Sequence, residues 1–205
     1  MKESEIYAEL NSIRHLMERS SKFISLSGLS GVMAGIYALV GALAAYHLLY
    51  GNFENLGKTE IYPEPQVVTR LFIIAVLVLL LSVLTGILLT IREARKKHEQ
   101  FWNPVSKRLL LHLSIPLITG GVLILIMLFK GYFSFIASSC LIFYGLALIA
   151  ASVYTYTDIR WLGLCQIALG LTAALFPAYG IVFWVVGFSF LHILYGLLMH
   201  FKYNR

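Results

Sequence analysis

Residues 71–91 read LFIIAVLVLLLSVLTGILLTI, an unbroken apolar run bounded by Arg70 and Arg92. As a helix it covers roughly 30 Å, the thickness of a bilayer's hydrocarbon core. A helix apolar on every face belongs either deep inside a large core or in a membrane. A chain of 205 residues has no core that large. The run therefore reads as a transmembrane helix, and the rest of the chain reads the same way. Further apolar segments run from Phe23 to Tyr50, Leu109 to Phe129, Phe133 to Tyr154, Trp161 to Phe176 and Ile181 to Phe201. The first is long enough to tilt or to begin in the interface, and the fifth is short enough to need extension through Pro177 to Tyr179. Composition agrees: 59% hydrophobic and 13% charged residues with a mean hydropathy of +0.81, against about 25% charged in soluble domains. The expected fold is an all-α membrane protein, a bundle of about six transmembrane helices over residues 23–205.

The basic residues set an orientation. Lys2, Arg14, Arg19, Lys22, Arg92, Arg95, Lys96, Lys97, Lys107, Arg108, Arg160, Lys202 and Arg205 fall on one side of the spans, and Lys58, Arg70 and Lys130 on the other. By the positive-inside rule both termini are cytoplasmic. Tyr46, Tyr50, Tyr132, Tyr179 and Trp184 mark the outer interface, and Trp102, Tyr154, Tyr156 and Trp161 the inner one. The net charge of +6 is spread around the ends of the spans instead of being gathered on a solvated face, which speaks against a nucleic-acid partner. The partner it does imply is the lipid bilayer itself, with anionic lipid at the basic inner face.

Before the first span, Ile6, Leu10, Ile13 and Met17 recur at helical spacing opposite Glu5, Glu9, Arg14 and Glu18. Residues 1–22 are thus expected to form an amphipathic cytoplasmic helix that docks on the bundle, lies in the interface, or mediates contact with a protein partner or a second copy. The start is polar and lacks the basic, apolar and small-residue succession of a signal peptide, so the first span is expected to be retained. Between the first two spans, Gly51 to Gln66 is a turn-rich, acidic outer loop. Asp158 precedes Ile159, Arg160 and Trp161, where its carboxylate is placed to cap the fifth helix. Gly28 and Gly35 are echoed by Gly163 and Gly170, a hint of internal repetition of which the third and fourth spans carry no clear version.

Every Asp and Glu lies outside the spans, which counts against pumps and proton-coupled carriers and against paired-carboxylate catalysis. His192, in the middle of the sixth span, is the most conspicuous intramembrane group. An imidazole at that depth should face the bundle interior, stay neutral and bond to a neighbour such as Ser or Gln166. A ligand site there would be built from His192, Tyr195, Ser189 and Gln166. His112 and His200 stand at comparable depth near the inner end, where a shared metal or haem would need them to converge. Pro116, four residues after His112, cannot donate to that residue's carbonyl, so a kink or polar pocket is expected. Cys140 and Cys165 sit at different depths and read as ordinary thiols. Ser27, Gly31 and Gly35 form a small-residue face suited to close helix packing. The string Gly28-Leu29-Ser30-Gly31 also matches the GxSG of rhomboid proteases, in the wrong span for that family.

The stretch Ser21 to Gly35, the loop Asn103-Pro104-Val105-Ser106-Lys107-Arg108 and the segment Tyr179 to Gly196 together resemble a family of uncharacterised bacterial integral membrane proteins. The resemblance implies an inner-membrane location and brings no activity, cofactor or site with it. The functional classes left open are a membrane binding or interaction protein (a sensor or complex subunit), a facilitated small-molecule carrier, and a histidine-dependent haem or metal redox protein.

The orientation is directly testable. Reporter fusions at Lys97, Asp158 and Arg205 are expected to report cytoplasmic, and fusions within Gly51 to Gln66 external; labelling of Lys97 from outside would overturn it.

Overall fold

A computed structural model describes residues 22–23, 27–51, 64–98 and 100–203, and these are helical, with no strand. The stripe of Ile6, Leu10, Ile13 and Met17 lies outside the described residues. The helices are α1 (Gly28–Tyr50), α2 (Pro65–Lys96), α3 (Pro104–Lys130), α4 (Ile136–Ser152) and α5 (Ile159–Leu175). A last rod follows, made of α6 (Gly180–Val185), a π-helical turn over Val186–Leu191 and α7 (His192–Tyr203). Five rods are long and apolar enough to cross a bilayer, and α5, with 17 residues, sits at the lower limit. It is not extended as anticipated: α5 stops at Leu175, and Pro177–Tyr179 forms a 3₁₀ turn that opens the last rod. Proline lacks the N–H that would have continued α5.

Local chemistry fixes the ends. Pro104 starts α3 behind Asn103, whose side chain accepts from the Ser106 N–H at 2.8 Å while Ser106 Oγ accepts from the Asn103 N–H at 2.9 Å. At its other end Gly131 adopts φ 78°, the left-handed conformation that glycine reaches without strain. Pro116 is accommodated inside α3.

Packing is organised by glycine. On α1 the close-approach face is Gly28, Gly31 and Gly35; Ser27 precedes the helix as its N-cap. The expected face of Ser27, Gly31 and Gly35 is therefore shifted at its first member. A Cβ on Gly28 would strike the Gly196 carbonyl at 2.6 Å, one on Gly31 would meet Gly196 Cα at 3.2 Å, and one on Gly35 would strike Ile193 Cγ1 at 2.6 Å and the Ser189 carbonyl at 2.8 Å. The α4/α5 crossing repeats this arrangement. A Cβ on Gly163 would strike the Gly145 carbonyl at 2.8 Å, and one on Gly170 would strike Ile142 Cγ1 at 2.6 Å and the Ser138 carbonyl at 3.0 Å. Ser138, Ile142, Tyr144 and Gly145 thus correspond to Ser189, Ile193, Tyr195 and Gly196. The glycine echo is the visible half of a repeated crossing, in which the glycine-bearing helix precedes its partner in one copy and follows it in the other. Its other half lies in α4 and the last rod, where no pair of glycines advertises it.

The basic end is tied together by the α4–α5 turn. The Phe23 N–H donates to the Tyr154 carbonyl at 2.7 Å, and Thr155 Oγ1, fully buried, donates to the Phe23 carbonyl at 2.8 Å. Phe23 packs there with Leu109, Ala151, Phe101 and Val105. Tyr156 stacks on Tyr203 at 4.1 Å between ring centroids and accepts from Lys97 Nζ at 3.5 Å. Asp158 does not cap α5; its carboxylate accepts from Lys202 Nζ and Tyr203 Oη, each at 2.7 Å. Two charged or polar donors on α7 outcompete the N-terminal amides of its own helix. The hydrogen bond from Lys202, then that from Tyr203, holds the Asp158 carboxyl below its ordinary range. Its contribution is therefore complete at neutral pH and is lost only as pH falls through that lowered value.

The repeat predicts matched responses. Gly163→Val and Gly196→Val should each lower the stability of the detergent-solubilised protein by about 1–3 kcal/mol. Gly86→Ala and Gly121→Ala, whose Cβ atoms would meet nothing within 4 Å, should be neutral or gain up to about 1 kcal/mol. Thermal unfolding of the four variants checks this, and tolerance of valine at either crossing contradicts it.

Candidate functional site

The most highly connected polar group inside the bundle is built around His192, at the point where the last rod departs from α geometry. The π turn over Val186–Leu191 leaves the Gly187 carbonyl open to side-chain donors. It accepts from Gln166 Nε2 of α5 at 2.8 Å and from His192 Nδ1 at 2.9 Å. A carbonyl only accepts, so Nδ1 carries the imidazole hydrogen and Nε2 is the acceptor. Tyr144 Oη of α4 supplies the matching donor at 2.8 Å. Gln166 Nε2 and His192 Nδ1 lie 3.4 Å apart because both point at one oxygen, and turning the amide over would set Gln166 Oε1 against that carbonyl. The result is a neutral, fully bonded imidazole.

Two other polar atoms in the cluster have no partner. Gln166 and Ser189 are 0% and 1% exposed, and Gln166 Oε1 and Ser189 Oγ are both without a hydrogen bond. The oxygen of Gln166 occupies the space that a side chain at Gly187 would fill, 2.5 Å from the position of its Cβ. Ser138, the repeat counterpart of Ser189, donates to the Phe135 carbonyl at 2.8 Å. Ser189 lacks that bond within the π turn. Aromatic rings wall the cluster: Trp184 lies against Phe188, and Phe188 and Tyr144 lie against His192, at centroid distances between 4.9 and 5.9 Å.

Of the residues expected at this site, His192, Gln166 and Ser189 come together and Tyr195 does not. Tyr195 is half-buried, nearer Asp158, Cys165 and Lys202. Its place is taken by its counterpart Tyr144, which sequence reading passed over because no charge or unusual spacing marks it. Gly187 was missed for the same reason. His112 and His200 have different neighbours. His112 Nε2 pairs with Tyr154 Oη at 2.6 Å, and His200 packs where α7 crosses Gly28, its Nδ1 buried without a partner. Among the described residues no group of three or more His, Cys, Asp or Glu side chains gathers as a metal site. Cys140 and Cys165 are unbridged.

The network makes a quantitative distinction. Tyr144→Phe leaves His192 Nε2 buried without a donor and should cost about 1–3 kcal/mol. Gln166→Leu removes an unpaired oxygen and leaves the Gly187 carbonyl its bond from His192, so it should cost less than about 1 kcal/mol. Denaturation of the two variants in detergent tests the order, and a larger loss for Gln166→Leu would refute the assigned hydrogen bonds. No protein family, curated protein or solved structure matches this chain, so the site rests on its own geometry.

Proposed function

We propose that this chain is a binding or interaction protein of the bacterial inner membrane, a sensor or a complex subunit, with both termini cytoplasmic. The observation that carries the reading is the double backbone attachment of Phe23 to the α4–α5 turn. The stripe of Ile6, Leu10, Ile13 and Met17 lies in the chain that leads into Phe23. A partner or second copy bound to that stripe would therefore act on a turn that also holds the ends of α2 and α7 through Lys97, Lys202 and Tyr203. The surplus of basic residues at that end supports a cytoplasmic orientation. Deletion of residues 2–20 should leave the bundle inserted and its thermal unfolding unchanged while removing an oligomeric state or a co-purifying subunit, read as mass in detergent. Unchanged mass and unchanged subunit content would defeat the proposal.

One observation favours a second reading, a facilitated carrier. Tyr144 and Gln166 belong to one copy of the repeat and Ser189 and His192 to the other, so the polar cluster lies between the copies. Carriers built from repeats hold their substrates at such mid-membrane junctions, often beside an interrupted helix. A carrier would show thermal stabilisation by its solute that survives deletion of residues 2–20 and is lost in His192→Phe.

A further inference from the structure

A separate feature lies on the exposed side of α3 and the C-terminal end of α4. His112, Ile115, Pro116, Ala150, Val153 and Tyr154 line an open groove of ≈ 330 Å³. Its walls are carbon except at one end, where His112 Nε2 and Tyr154 Oη form their 2.6 Å pair. That pair uses a single hydrogen, which leaves one donor, the second ring N–H or the tyrosine O–H, for an acceptor oxygen of another molecule. Arg108, His112 and Ile115 follow one another at spacings of four and three and so share one face of α3. Arg108 is exposed and lies about 6 Å nearer the basic end than His112. Along this face the surface passes from a cation to a hydrogen-bonding pair to an apolar trough.

We infer that this face seats an anionic glycerophospholipid, its phosphate at Arg108, its glycerol and ester oxygens at His112 and Tyr154, and an acyl chain in the groove. The order of the three chemistries is that of such a lipid entering from the headgroup region, and Ile115 and Val153, which line the groove, are exposed on the surface of the bundle. Arginine supplies the forked donor geometry that suits phosphate. A groove of carbon alone would accept any acyl chain; the charge and the polar pair are what select a headgroup.

The test is lipid retention by purified full-length protein in mixed phosphatidylglycerol and phosphatidylcholine micelles, read by native mass spectrometry. The unaltered protein is expected to keep phosphatidylglycerol preferentially. Arg108→Gln should reduce that preference about fivefold, the equivalent of ~1 kcal/mol for one cation near the headgroups. Val153→Trp, at an exposed rim position where folding is not at stake, should block the groove and lower retention. Lys130→Gln, at the other end of α3, should change nothing. Equal retention of the two lipids by the unaltered protein, or unchanged retention in both Arg108→Gln and Val153→Trp, overturns the inference. Displacement by soluble glycerol phosphate as readily as by phosphatidylglycerol would overturn it too, by showing a phosphate site and not a lipid site.

Discussion

Backbone contact between helices at glycine is the constraint on which the rest of this structure depends. Inside a bilayer, lipid tails are as apolar as leucine, so helices gain little by hiding apolar surface from one another. What remains is dispersion and weak contact between backbones, which require Cβ atoms to be absent. Gly28 and Gly31 against Gly196 with Gly35 against Ser189 and Ile193, and Gly163 against Gly145 with Gly170 against Ser138 and Ile142, meet that requirement in two places. Each crossing brings a carbonyl within reach of the opposite helix, and each is weakened if a side chain is added at its closest glycines. Helix α2 shows the contrast, packing against α1 through Gly41 and Val78 while most of its surface is left to lipid.

The two crossings are copies, and the polar chemistry arises where the copies differ. Helix α4 is regular and Ser138 bonds to its own backbone; the last rod carries a π turn, and Ser189 does not. That turn frees the Gly187 carbonyl, which then holds Gln166 and the imidazole of His192. A buried imidazole in lipid must be neutral and bonded at both nitrogens, and the cluster satisfies one nitrogen from the last rod itself and the other from α4. The cost of the arrangement is visible in the unpaired Gln166 Oε1 and Ser189 Oγ.

The α4–α5 turn is the counterpart at the basic end. The Asp158 carboxylate and the Tyr156 ring take partners on α7, the Tyr156 hydroxyl takes Lys97 at the end of α2, and the Thr155 hydroxyl takes Phe23. Several segments that are remote in sequence are thereby held at one level. Because Phe23 is joined through its backbone, any residue but proline could form the two hydrogen bonds at that position; the aromatic ring adds the packing against Leu109 and Ala151.

Much of this was legible in the sequence by itself. The apolar runs and the scarcity of charge required a helical membrane bundle, since only helices satisfy their own backbone within a single span. The depth of His192 required a bonded imidazole with Gln166 among its neighbours. These are properties of one segment in its solvent. The sequence did not disclose that Tyr144 and not Tyr195 completes the cluster, that Asp158 reaches α7 instead of capping α5, or that His112 and His200 part company. Each depends on which helices touch and at what rotation. In a membrane that choice is made by close backbone fit between rods that are all equally apolar, and it is decided only when the whole bundle packs.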